Sequence, residues 1–212
     1  MAQHNPGYFT ASTITPFLTG KKDELLAGGV AAAIEIAKER MALAGLVQPE
    51  EPWQGNESTE WGNQHEGDAI LRYEQDQFIS VTDRQVGSVS GWLSCTPDGY
   101  IGSDGLVETK CPFATKVHMG YLLEPETLRA QYNDQCQFQL MLAGRKWCDL
   151  VSYDPRWKEP LDLVIARITP DPEWQHRCRN RIEQAETIIT ETMEKLLKGD
   201  APKIMEKLCS IK

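Results

Sequence analysis

The sequence predicts a layered α/β domain, and three observations carry that expectation. Apolar residues recur at helical spacing early in the chain, short turn-punctuated segments rich in β-forming residues follow from Arg84, and helical periodicity returns around two further strand candidates. The first helix is expected over 23–44, capped by Asp23, with Leu26, Val30, Ile34, Ala37 and Met41 on one face and Gly45 as its end. Pro49, Pro52 and Gly55 mark a loop, after which Ser58 is expected to cap a second helix reaching about Gln75. Segments 85–93, 100–101 and 105–111 read as a β-meander, with Pro97-Asp98-Gly99 and Ser103-Asp104-Gly105 as turn signals. Pro125 suits the first turn of a helix through Ala143, amphipathic through Leu128, Tyr132, Cys136 and Leu140. Strands are expected over 147–153 and 161–168, a long helix over 172–197 and a short one over 201–210, giving the order αα-βββ-α-ββ-αα.

A chain of 212 residues, 41% hydrophobic and 25% charged, has the size and composition of a single globular domain, 1–212, with material for a sizeable core. No stretch approaches the ~20 apolar residues that span a bilayer, and the start of the chain is polar, so a protein inside the cell with no membrane partner is expected. The six cysteines lie 12 or more residues apart with no close pair, which argues against zinc ribbons and redox motifs and for thiols packed in the core. A net charge of −9 ordinarily disfavours nucleic acid as a partner. Its distribution softens that argument, because residues 50 to 76 hold eight acids against one base, Arg72, and so carry −7 of the total. The remainder is nearly balanced, and Lys21, Lys22, Lys110, Lys116, Arg129, Arg145, Lys146, Arg156 and Lys158 are available for a local basic surface. For any one of them, an ordinary solvated cation is the commoner reading.

Chemistry concentrates in the run from Cys95 to Pro112. Glu108 and Lys110 are two apart on a predicted strand, so both side chains project from one face. If the preceding hairpin folds back, Asp98 comes beside Glu108, and two carboxylates and an ammonium meet at one spot flanked by apolar strand residues. Hard carboxylate oxygens with room for water suit Mg²⁺. Such an ion polarises a phosphate oxygen and acidifies a bound water, while Lys110 orients that water or stabilises the transition state; phosphodiester hydrolysis is the expected reaction. The plain alternative is a solvent-exposed Glu–Lys pair and a turn aspartate, as Asp104 in its Ser-Asp-Gly turn is taken to be.

The literal Pro97-Asp98, nine residues, then Glu108-Thr109-Lys110 resembles the PD-(D/E)xK nuclease signature. The surroundings narrow the resemblance to the phage lambda exonuclease and YqaJ-type viral recombinase family: Thr10-Ala11-Ser12, Trp61-Gly62-Asn63-Gln64-His65-Glu66, Thr96-Pro97-Asp98-Gly99, Leu106 through Phe113, Gln135-Cys136-Gln137 and Tyr153-Asp154-Pro155-Arg156 match in order and in most spacings.

That resemblance implies a restriction-endonuclease-like fold, a mixed β-sheet flanked by helices. It implies that Asp98, Glu108 and the Thr109 carbonyl bind Mg²⁺, for which Mn²⁺ substitutes, that Lys110 positions the attacking water, and that Glu66 and Gln135 complete the site. Read from residue type alone, Glu66 is a surface glutamate on an acidic helix, and Gln131, Gln135 and Gln139, one turn apart, form a polar stripe facing either solvent or the site. Solvent is the reading kept for Gln131 and Gln139.

The family further implies a homotrimeric ring that threads duplex DNA and digests one strand from its 5′ end to mononucleotides. The 3′ single strand left behind goes to a single-strand annealing protein in recombination, in the cytoplasm of a bacterial host carrying the phage or prophage. Lys21, Lys22 and Lys116 are candidates for DNA contact, and Ser12 for a terminal phosphate. The family's phosphate-gripping arginine falls on Asn5, which has no charge to offer. Two alternatives stand beside this: a PD-(D/E)xK endonuclease or repair nuclease without end dependence, and a DNA-binding module that merely retains the fold.

Overall fold

The computed structural model describes residues 5–20, 24–50, 55–85 and 87–198, with Lys203, Ile204, Glu206 and Leu208. Its elements are β1 (Phe9–Thr10), α1 (Thr15–Leu18), α2 (Ala27–Leu43), α3 (Glu57–Gln77), β2 (Ser88–Ser90), β3 (Leu93–Cys95), β4 (Gly99–Ile101), β5 (Gly105–Lys110), α4 (Thr115–Leu123), α5 (Pro125–Ala143), β6 (Trp147–Tyr153), β7 (Leu163–Ile168) and α6 (Pro172–Leu197). Contacts divide the chain into two compact units. Among the described residues no helix is long and apolar enough to cross a membrane.

The larger unit holds α3, β4 to β7, α4 and α5. Its sheet runs β4-β5-β6-β7, with β5 and β6 parallel and the outer pairs antiparallel. Alternation along the strands gives it two apolar faces. Leu106, Cys148, Leu150, Ala166 and Ile168 pack with Leu128, Cys136 and Leu140 of α5, while Val107, Val151 and Leu163 pack with Ile70 and Tyr73 of α3. Glu108 lies two residues on from Leu106 and so faces α5 from the middle of the sheet. Beneath α3, Tyr73 donates to buried Asp149, whose carboxylate also receives Arg167.

In the smaller unit, α1, α2 and α6 pack together, and β1 pairs in parallel with β3. Its centre is Arg40, 1% exposed, which forms a bidentate pair with Glu186, donates to the Gly7 carbonyl and stacks on Trp92. A buried guanidinium is tolerable only with this degree of pairing.

Several expectations need correction. Asn56, not Ser58, caps α3, its side chain accepting from Thr59 N at 3.1 Å. The segment expected as one strand over 85–93 breaks at Gly91 (φ 59), and β3 on its far side pairs with β1 instead of continuing a meander. The helix α2 starts from Leu26; the expected cap, Asp23, lies outside the described residues. So does most of the 201–210 helix, although Lys203, Ile204, Glu206 and Leu208 are helical. The elements β1, α1 and α4 were not anticipated.

Gly99 opens β4 and is not a turn residue. A Cβ there would sit 2.1 Å from Val81 Cγ1, because residues 81–82 cross directly over the strand and Thr82 exchanges backbone hydrogen bonds with Tyr100. Gly99→Ala therefore has to push β4 away and move Asp98 with it. A loss of roughly 1–3 kcal/mol in thermal or urea melts is expected, together with reduced cleavage.

Candidate active site

The antiparallel hairpin of β4 and β5 does what the motif spacing requires: Gly99 pairs with Val107, which brings Asp98 opposite Glu108 and Thr109. Thr109 anchors Asp98 twice, its N–H and its Oγ1 each donating to Asp98 Oδ2 at 2.7 Å. The other carboxylate oxygen, Oδ1, has no hydrogen-bond partner among the described residues. Glu108, 3% exposed, accepts from Lys110 Nζ at 2.7 Å and from Gln135 Nε2 through Oε1, and from Gln139 Nε2 at 2.7 Å through Oε2. Lys110 Nζ stands 4.8 Å from the centroid of the Tyr132 ring.

Three elements thus supply the site. From α5 come Tyr132, Gln135 and Gln139, which share a face at helical spacing and run beside the apolar stripe of Cys136 and Leu140. Gln131, at the exposed end of that stripe, receives Tyr121 OH at 2.8 Å and donates to Tyr132 OH at 3.2 Å, so it steadies the ring beneath the amine. From α3 comes Glu66, half-buried, whose Oε1 receives Gln85 Nε2 at 2.6 Å and whose charge is felt at Asp98.

The electrostatics follow from the geometry. Burial first, then the Glu108 charge, push Asp98 from an ordinary 3.8 up to about 7, against the opposing pull of Lys110. Burial alone would lower the pKa of Lys110, but Glu108 and Asp98 outweigh it and hold the amine above its ordinary value, hence charged. Asp98, Glu108 and Lys110 leave a formal −1, to which Glu66 on α3 adds a further negative charge felt at Asp98.

These residues fit a hard divalent cation: Asp98 keeps an oxygen without a donor among the described residues, its charge is poorly neutralised, and the surrounding ligand atoms are oxygens. No cluster of three His, Cys, Asp or Glu side chains gathers among the described residues, and the five described cysteines are free. The donor set is a carboxylate pair with neighbouring oxygen donors, which matches an ion that retains several waters.

The other motif residues form a brace beside the site. The Arg156 guanidinium donates to Asp154 and to the carbonyls of Pro112 at 3.0 Å and Phe113 at 2.9 Å, and it stacks 4.5 Å from the ring centroid of Trp61 on α3. It therefore ties the exit of β5, just past Lys110, to the helix that carries Glu66. Of the expected DNA contacts, Lys116 is exposed on α4 and Ser12 is exposed with its Oγ 3.2 Å from Thr10 Oγ1; Lys21 and Lys22 lie outside the described residues. Asn5 donates to Ser94 Oγ at 2.5 Å.

Sequence reasoning placed Gln139 in solvent, and the structure corrects this: it is 0% exposed and holds Glu108. The available signal was its position between core residues Cys136 and Leu140, where an amide is out of place unless it has a polar partner. The anchoring of Asp98 by Thr109 left no such signal, since it depends on how the hairpin closes.

Fold and site together are those of a nuclease with the restriction-endonuclease-like fold. The chain belongs to the YqaJ-like viral recombinase family, whose domain model matches residues 5–146. It is similar to an alkaline exonuclease from Laribacter hongkongensis, at 26% identity and a TM-score of 0.71, over 91% of this chain and 95% of that one. The same enzyme in complex with dAMP matches at 25% identity and a TM-score of 0.68, over 98% and 96%. A phage-related exonuclease from Haemophilus somnus 129PT shares the fold at 15% identity and a TM-score of 0.76, over 89% and 96%. No curated protein matches the sequence.

Proposed function

We propose that this chain is a Mg²⁺-dependent exonuclease. It degrades one strand of linear double-stranded DNA from the 5′ end to mononucleotides and leaves a 3′ single strand for an annealing protein to use in recombination. The observation that carries this reading is the meeting of Asp98, Glu108 and Lys110 at one spot, with one Asp98 oxygen left without a donor among the described residues. The dAMP held by the Laribacter relative supports it, being a mononucleotide of the kind such a reaction releases.

Asp98, Glu108 and the Thr109 carbonyl would hold the cation, with Glu66 behind Asp98. When bound, the ion supplies Lewis-acid polarisation of the phosphate and an acidified water. Lys110 works as a charged donor, orienting the attacking water and opposing the negative charge that builds on the phosphoryl oxygens. Gln135 holds the Glu108 carboxylate, and Tyr132 sets the direction of the amine. Water gives up a proton to solvent as it adds to phosphorus, the bond to the 3′-oxygen breaks, and that oxygen leaves with a proton drawn from solvent.

The chain acts as one nuclease domain in a ring of three copies around the duplex, in the bacterial cytoplasm. Lys116, Lys21 and Lys22 face DNA, and Ser12 meets the terminal phosphate. A basic track inside an otherwise acidic protein reconciles the net charge with the substrate. With Asn5 in place of a gripping arginine, the terminal phosphate is held without a charge-assisted bidentate contact.

The test is a blunt linear duplex labelled in turn at each end, followed over time in Mg²⁺, with closed circular DNA alongside. Mononucleotides released from the 5′ label, an intact circle and no cleavage in chelator are expected. Cutting of the closed circle would favour an endonuclease on the same three residues.

A further inference from the structure

Gln139 occupies an unusual position for an amide. It lies on α5 between Cys136 and Leu140, completely buried, where an unbranched apolar side chain of similar length would pack. Its Oε1 is buried with no hydrogen-bond partner among the described residues. Leaving an acceptor in that state costs about 1–3 kcal/mol. What the amide gains in return is a single 2.7 Å bond from Nε2 to Glu108 Oε2.

The two oxygens of Glu108 are held differently. Lys110 and Gln135, both only part-buried, share Oε1, whereas Gln139 holds Oε2 from inside the core. A cation or substrate approaching from the open side meets Lys110 and Gln135 and leaves Gln139 untouched. We propose that Gln139 is a positioning residue. It pins Oε2 and so fixes the carboxylate plane, keeping Oε1 turned toward Lys110 and Gln135, on the side where the cation is read to bind. The inference rests on the nuclease reading. It adds an interior anchor without which the Glu108 carboxylate would turn about its last bond and carry Oε1 away from the place where the cation is read to bind.

Gln139→Met keeps the volume and removes both the donor and the orphaned acceptor, so the fold should survive. Calorimetric titration with Mn²⁺ should show binding weakened by about 10–100-fold, the usual effect of losing a partner behind a metal ligand, and the half-activating Mg²⁺ concentration should rise in parallel. The KM for DNA at saturating metal should not move. Gln137→Met is the control: that amide is as deeply buried on the same helix but donates to the Thr169 carbonyl, so its loss should lower the melting temperature and leave Mn²⁺ binding alone. Mn²⁺ binding by Gln139→Met within about twofold of wild type would overturn the inference. Should Gln139→Met not fold, Gln139→Asn, whose amide stops one methylene short, is held to the same threshold. Absence of DNA cleavage by a wild type that binds Mn²⁺ would overturn the nuclease reading and leave the calorimetric comparison to decide Gln139.

Discussion

Asp98→Asn is expected to abolish cleavage and, at the same time, to raise the melting temperature of the metal-free protein at pH 8. The folded protein holds the Asp98 carboxyl up at about 7, against 3.8 ordinarily, so between those values the folded chain binds more protons than the unfolded one. Stability therefore falls as pH rises through that window, and above it the whole cost of an ionised Asp98 is present. At full burial the shift corresponds to about 4 kcal/mol. Solvent access at a half-buried group reduces this to roughly 2 kcal/mol. Asparagine retains an acceptor for Thr109 and carries no charge, so a gain of about 4–8 °C is expected at pH 8, shrinking as pH falls and gone near pH 4. Saturating Mn²⁺ should stabilise wild type and not the variant. Thermal melts at pH 8, 6.5 and 5 check the whole pattern; a variant less stable than wild type at pH 8 would mean that Asp98 is not under charge repulsion.

Glu108→Ala should behave in the opposite way. Cleavage should again be lost, since the carboxylate that pairs with Lys110 and is proposed to hold the cation is gone. The fold is also expected to suffer. With Glu108 removed, a largely buried Lys110 ammonium and the amides of Gln135 and Gln139 lose their acceptor together. Breaking a buried pair from one side costs about 3–5 kcal/mol, here taken near 3 because Lys110 keeps some water. That corresponds to a melting temperature lower by roughly 6–12 °C. Glu108→Gln keeps an acceptor and should recover most of the stability and none of the activity. If Glu108→Ala melts with wild type, the carboxylate is not the hub that holds Lys110, Gln135 and Gln139 in place.

These opposite signs arise from how the two carboxylates are housed, and that is where the sequence stops being informative. Period-two alternation places Glu108 and Lys110 on one face of β5, and the nine residues between Asp98 and Glu108 are enough to close a hairpin, so the convergence of the three was legible. The helices α5 and α6 were legible too, because Pro125 and Pro172 open them and their apolar residues recur at clean helical spacing. The break at Gly91 and the pairing of β3 with β1 were not, since two-residue β1 is held by partners more than 80 residues away, and nothing local encodes that choice. Gln139 was missed for a related reason: an amide stripe on a helix has the same periodicity whether it meets water or a carboxylate. Trp61, Phe113 and Arg156 were legible as motif residues only through resemblance, because the brace they form joins three distant segments.

The reading turns on whether Asp98 and Glu108 hold one divalent cation between them. Crystals of the wild-type protein grown with Mn²⁺ and measured for anomalous scattering test it. An anomalous peak in direct contact with carboxylate oxygens of both Asp98 and Glu108, absent from Asp98→Asn crystals, is the expected result. A peak at other ligands, or one that persists unchanged in Asp98→Asn, would contradict the account.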